Sequence, residues 1–164
     1  MALKVELKPG ERIIIGDSVI TNDNQRTRLF IEGTAPILRE KDILTPETAN
    51  TPAKRVYLAV QLMYLSNSLE KIQDNYFILV NDIVKAAPST IPYITRISNS
   101  ILTGAFYKAL KEAKKLIEYE RTLIGHVQAG GASLSENEPG GGHSERAGSN
   151  APHESRSSSS ADQG

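Results

Sequence analysis

Apolar and polar residues alternate from the start of the chain, with Leu3, Val5 and Leu7 set against Lys4 and Glu6. That period of two is the signature of a half-buried strand. Pro9-Gly10 turns the chain, and the apolar run in "RIIIG" predicts a second strand. Gly16-Asp17 suits a two-residue hairpin, because glycine accepts positive φ at the first central position, so "SVIT" is expected to pair back antiparallel. Asn22, Asp23 and Asn24 make the next turn, followed by a longer strand in "QRTRLFIEG" and a last one in "PILR". A sheet of about five such short strands has little core of its own and needs a helix layer or a second copy over its apolar face.

From about Pro46 the period changes. Thr45-Pro46-Glu47 and Thr51-Pro52-Ala53 each offer a threonine cap followed by proline at the first helical position. After Pro52, Val56, Val60, Met63 and Tyr64 share a face, and Leu58, Leu62 and Leu65 widen it, which predicts a helix buried over much of its girth. A second helix is expected from about Ser68, with Leu69, Ile72, Tyr76, Leu79 and Ile83 at helical spacing and Pro88 ending it. A third begins near Pro92, is weakened at Gly104, and continues through "AFYKALKEAKKLIEYERTLI", where Phe106, Ala109, Leu110, Ala113, Leu116, Ile117 and Leu123 form a clean stripe. Beyond residue 127 glycine, serine, proline and charge dominate, and ordering such a segment would cost backbone entropy that no burial repays. The expected organisation is α+β: a small antiparallel sheet over 1–44, a bundle of three to four helices over 45–126, and a disordered tail over 127–164.

Charge sharpens this division. The 164 residues carry 19 basic and 19 acidic side chains, but residues 51–126 hold ten and six of them and residues 127–164 hold two and five. A neutral whole argues against indiscriminate coating of nucleic acid and leaves local recognition open. There is no cysteine, which suits a reducing compartment. "MALKVELKPGERIIIG" lacks the apolar core of a signal peptide, and "VYLAVQLMYL" is short and interrupted by Gln61, so a soluble, cytoplasmic protein without a membrane segment is expected.

The inventory for catalysis is poor. His126, His143 and His153 have no partner at ligand spacing, and no nucleophile elbow, phosphate loop or dinucleotide fingerprint is present. Glu118 with Glu120 and Asp74 with Asp82 read as solvated helix surface. We expect neither an enzyme nor a cofactor. Lys108, Lys111, Lys114 and Lys115 lie opposite the stripe of the last helix; they suit a phosphate backbone or a soluble helix surface diluted by Glu112, Glu118 and Glu120. On the fourth strand, alternation puts Arg26, Arg28, Phe30 and Glu32 on one face and Thr27, Leu29 and Ile31 on the other. Two guanidinium groups beside an aromatic ring suit unpaired bases; the other reading is a polar face with Phe30 covered by a helix.

Gly10-Glu11, Ile15-Gly16-Asp17, Asn24-Gln25 and Arg39-Glu40 stand where small RNA-binding regulators of the CsrA type carry their pattern, so residues 1–43 resemble that family. Over residues 1 to about 125, "LKPGERIIIGDSVI", "LREKDILT", "TPAKRVYLAVQLMYL" and "YKALKEAKKLIEYE" resemble FlbT, the flagellar biosynthesis repressor family of flagellated alphaproteobacteria. The FlbT resemblance implies post-transcriptional repression through the 5′ untranslated leader of flagellin mRNA, with activator roles in some members. The CsrA resemblance implies that Arg39 contacts RNA at the exit of the last strand. Arg26, Arg28, Lys8 and Lys41 are the other candidate RNA-binding residues. In two places the chain departs from the CsrA pattern: a basic first-strand position is Leu7 here, leaving Lys8 as the nearest cation, and a histidine is Leu38. Arg39 also has a structural reading, pairing with Glu40, Asp42 or a helix carboxylate. Partners implied are the flagellin leader and another flagellar regulatory protein, and strand exchange of the CsrA type would give a homodimer. The alternative function is a non-catalytic adaptor in flagellar assembly that works through the helical region.

Overall fold

The computed structural model describes residues 2–134. Five strands come first, β1 (Leu3–Leu7), β2 (Arg12–Ile15), β3 (Ser18–Thr21), β4 (Thr27–Ile31) and β5 (Ile37–Arg39), and four helices follow, an α+β order. The strands divide between two antiparallel sheets. β1 pairs with β4, and β2 lies between β3 and β5. Gly16 has φ +65° at the β2–β3 hairpin, as the Gly-Asp turn requires.

Pleating explains how so few residues make two layers. Val5 and Leu7 of β1, Leu29 and Ile31 of β4, Ile13 and Ile15 of β2 and Ile37 of β5 meet in one apolar cluster between the sheets. The alternate positions of β2 and β5, Ile14 and Leu38, point the other way and join the helical core. Leu7 and Leu38, the two departures from the CsrA pattern, are therefore core side chains here, at 1% and 2% exposure.

The helices are α1 (Pro52–Ser66), α2 (Gln73–Ala86), α3 (Ile91–Leu102) and α4 (Phe106–Leu134). Thr51 caps α1, its hydroxyl accepting from the Lys54 N–H at 3.3 Å. The other expected start, at Thr45-Pro46, is a turn rather than a helix: Thr45 and Thr48 satisfy each other through backbone and hydroxyl bonds, and Ala49 N–H closes on the Thr45 carbonyl. α1 ends on Asn67 in the left-handed conformation, φ 47°, and Leu69–Ile72 make further turns, so α2 starts at Gln73 instead of near Ser68. Gly104, φ +72°, separates α3 from α4.

α4 packs against α1 and α3. Its stripe of Ala109, Leu110, Ala113 and Leu116 is buried as the spacing predicts. α3 and α4 are also fastened at their surface, where Tyr93 stacks on Tyr119 at 4.6 Å and Glu112 takes Arg96 at 3.3 Å and Lys115 at 3.0 Å. α4 runs to Leu134, past the expected end of order at 127; the remainder of the expected tail, residues 135–164, lies outside the described residues.

The joint between sheet and helices is polar and specific. Tyr64 Oη donates to the Ile37 carbonyl at 3.0 Å and accepts from its N–H at 3.1 Å. Gln61 repeats this on Leu44, Nε2 donating to the carbonyl at 3.0 Å and Oε1 accepting from the N–H at 2.8 Å. Tyr57 Oη donates to the Asp42 carbonyl at 2.6 Å, and burial pushes its phenol well above the usual range. Positions 57, 61 and 64 share one face of α1, so the helix holds residues 37–44 by their backbone. Gln61, an interruption in the apolar run, is 4% exposed and fully engaged.

Candidate nucleic-acid interface

The outer face of β4 is arranged as the alternation predicts. Arg28 and Phe30 are exposed, and Thr27, Leu29 and Ile31 turn inward. Phe30 is 68% exposed, so the reading in which a helix covers it is wrong. Pairing with β1 sets Lys4 directly across from Phe30 and Glu6 across from Arg28. Arg28 donates to Glu6 Oε1 from Nε at 3.2 Å and from Nη2 at 2.9 Å, and this hydrogen bonding, with the guanidinium charge, holds the Glu6 carboxyl below the usual carboxylate range.

Arg39 shares the inter-sheet side of β5 with Ile37, and from there Nη2 donates to the Glu6 carbonyl of β1 at 3.2 Å. Its expected carboxylate partners are otherwise occupied: Glu40 takes Arg12 at 3.3 Å, and Asp42 takes Lys114 of α4. Arg39 thus bridges the two sheets through a backbone acceptor and keeps its charge unpaired by any carboxylate among the described residues.

Turns bring the remaining cations in. Asn22 Nδ2 lies 3.2 Å from the Leu7 carbonyl, 2.8 Å from that of Lys8 and 2.7 Å from that of Gln25. Gly10 N–H donates to the Asp23 carbonyl at 3.0 Å, so the β1–β2 and β3–β4 turns are tied together and Lys8 sits beside Arg26. The outcome is a cleft of about 330 Å³ lined by Lys8, Arg26, Arg39 and Lys41 with Glu6, Glu11 and Leu7. Four of the five candidate residues line this cleft, and Arg28 stands beside it on Glu6. Lys4, Glu6 and Asn22 are the participants that sequence reasoning missed. Lys4 and Glu6 were visible as the polar half of the first strand's alternation, but their place opposite Phe30 and Arg28 depends on register.

The lysines of α4 are mostly engaged. Lys114 holds Asp42, Lys115 holds Glu112, and Lys111 lies 4.7 Å above the Tyr107 ring. Among the described residues no group of three or more His, Asp or Glu side chains is placed to hold a metal ion; His143 and His153 lie outside them. No helix there is long and apolar enough to cross a membrane.

The model of the family described as flagellar protein FlbT matches residues 3–124. A Bradyrhizobium diazoefficiens protein named probable flagellum biosynthesis repressor protein FlbT 1 is 64% identical over 130 residues, covering 79% of this chain and 89% of that one. The Rhodopseudomonas palustris (strain TIE-1) protein of similar name is 56% identical over 76% of this chain and 98% of its own length. The Caulobacter vibrioides (strain ATCC 19089) flagellum biosynthesis repressor protein FlbT is 36% identical over 79% of this chain and 94% of its own. No solved structure matches.

Proposed function

We propose that this chain, which belongs to the FlbT family, is a non-catalytic post-transcriptional regulator of flagellum biogenesis that binds the 5′ untranslated leader of flagellin mRNA. Its relatives are named as repressors of flagellum biosynthesis, and leader binding gives repression a direct route, by blocking translation or promoting decay of the message. The observation that carries the reading is the convergence of Lys8, Arg26, Arg39 and Lys41 on one cleft, with Phe30 exposed on the same face of β4 as Arg28. Those four cations come from three segments of the fold, the β1–β2 turn, the β3–β4 turn, and β5 with the turn that follows it. Flat donors and point charges suit phosphate and base edges, and the ring offers a stacking surface that only an unpaired base reaches. Glu6 and Glu11 limit the net charge, which suits selective rather than indiscriminate binding.

The test is an equilibrium titration of the full chain against the flagellin leader and a scrambled RNA of equal length at two salt concentrations. Selective binding, weakened about tenfold or more by Arg39→Ala and by Arg26→Ala, is the expected result. Absence of leader affinity at low salt in folded protein would refute it.

A second reading, an adaptor that binds another flagellar protein through the helices, draws on a different observation. An apolar groove of about 590 Å³ lies among Pro52, Ile83, Ala86, Leu123, Ile124 and Val127, with Val127 75% exposed. Ile124→Asp would then abolish partner capture and leave leader binding intact.

A further inference from the structure

Lys41 lines two clefts. One is the sheet cleft with Lys8, Arg26 and Arg39; the other, of about 430 Å³, lies between the β5–α1 connection, the first turn of α1 and the outer face of α4. Besides Lys41, this second cleft gathers Lys54 from α1 and Lys114, Lys115 and Arg121 from α4. Its lining carboxylates are Asp42 and Glu118, so cations outnumber them five to two. Both carboxylates are engaged within the wall, Asp42 by Lys114 and Glu118 by Arg121 at 3.2 Å, while Lys115 bonds to Glu112 at 3.0 Å. Lys41 and Lys54 pair with no carboxylate among the described residues; Lys54 Nζ donates to Asn50 Oδ1 at 3.3 Å, an uncharged acceptor.

We infer that the two clefts form one continuous track for single-stranded RNA, with Lys41 at the divide and Lys54 and Arg121 as additional phosphate-binding residues. This rests on the function proposed above and extends it from the sheet to the helices. A strand whose bases engage the Phe30 face and whose phosphates reach Arg39 passes Lys41 and meets the excess positive charge of the second cleft. The one aromatic side chain in its lining, Tyr57, is buried and spends its hydroxyl on the Asp42 carbonyl; excess charge without an exposed ring suits the sugar-phosphate backbone rather than the bases, so the helical segment adds length-dependent and salt-dependent affinity without sequence choice. Lys114 has a separate duty, holding Asp42 and with it the Lys41 turn against α4. The cations of the sheet cleft and those of α4 at Lys114, Lys115 and Arg121 are thereby parts of one surface.

The experiment uses the full chain with two leader-derived oligonucleotides, one of about 6 and one of about 16 nucleotides. Wild type is expected to bind the longer one at least tenfold more tightly and with a steeper salt dependence. The double variant Lys54→Gln/Arg121→Gln is expected to lower long-oligonucleotide affinity towards the short one's, to reduce the salt slope by roughly 1 to 2 at about 0.7 per phosphate, and to leave short-oligonucleotide binding unchanged. Thermal unfolding of the variant at the wild-type midpoint confirms that the fold is intact; were it lowered, the single Lys54→Gln chain would carry the same comparison with half the slope change. Long-oligonucleotide affinity and slope unchanged in a folded variant, with Arg39→Ala still weakening binding about tenfold or more, would overturn the track and leave the sheet site standing. Equal weakening of both oligonucleotides would also overturn it. Failure of wild type to bind either would remove the proposed function, and the track with it.

Discussion

The two halves of this molecule are stabilised in different ways. In the helical half, Val56, Tyr57, Val60 and Met63 of α1, Ile97 of α3 and Ala109, Ala113 and Leu116 of α4 belong to one extended core in which most members are under 3% exposed. In the sheet half only Val5, Leu7 and Ile13 are buried in the inter-sheet cluster, with Ile15, Leu29, Ile31 and Ile37 partly buried around them, and backbone clamps by Asn22, Arg39 and Tyr64 add to the strand ladders. The difference separates two tasks. A large core supplies stability, while a thin sandwich held by polar clamps can leave Phe30, Arg26, Arg28 and Lys4 exposed.

That contrast can be broken from either side. The largest effect is expected from Leu116→Ala, which removes a fully buried side chain from the helical core and should lower global stability by about 2–5 kcal/mol, read by chemical denaturation. Next, Gln61→Leu leaves the Leu44 N–H and carbonyl without partners and should cost roughly 1–3 kcal/mol. Its signature should be local, with amide exchange accelerated in β5 and residues 40–44 more than in α4. Gly16→Ala places a Cβ at φ +65° and should destabilise the β2–β3 hairpin by about 1–2 kcal/mol, seen as faster exchange at Ile13 and Ile15.

The smallest effect concerns acid. The hydrogen bond from Lys115, with the charges of Lys115 and Arg96, holds the Glu112 carboxyl below its usual value. Because the folded-state value is depressed, the contribution is fully present above the ordinary carboxylate range and is lost as pH falls through the depressed value. Glu112→Gln should therefore cost about 1 kcal/mol or less at neutral pH. Denaturation curves of variant and wild type should converge in acid.

Local chemistry was well written in the sequence, and non-local chemistry was not. Alternation placed Arg28 and Phe30 outward, Gly16 marked the hairpin, and the spacing from Phe106 to Leu116 defined the α4 stripe. Thr45-Pro46 misled because a threonine with proline after it also begins a turn when another threonine three residues on completes the bonding. Tyr57, Gln61 and Tyr64 read as parts of, or breaks in, an apolar stripe, because their backbone partners lie elsewhere in the chain. The candidate site was half legible: the outward face of Arg28 and Phe30 followed from periodicity and Arg39 from the CsrA resemblance, but the meeting of Lys8 with Arg26 depends on Asn22, and the position of Lys41 between two clefts depends on how the β5–α1 connection packs on α4.

On the proposed function, the thin sheet rather than the helical core carries the primary recognition face. Photo-crosslinking of the full chain to flagellin leader RNA, with the modified peptides mapped by mass spectrometry, tests it most directly. Adducts are expected to concentrate on the peptides carrying Lys8, Arg26 to Phe30, and Arg39 with Lys41, with any helical adducts confined to the region of Lys54 and Arg121. Adducts on α2 and α3 with none on the sheet, at matched occupancy, would contradict it.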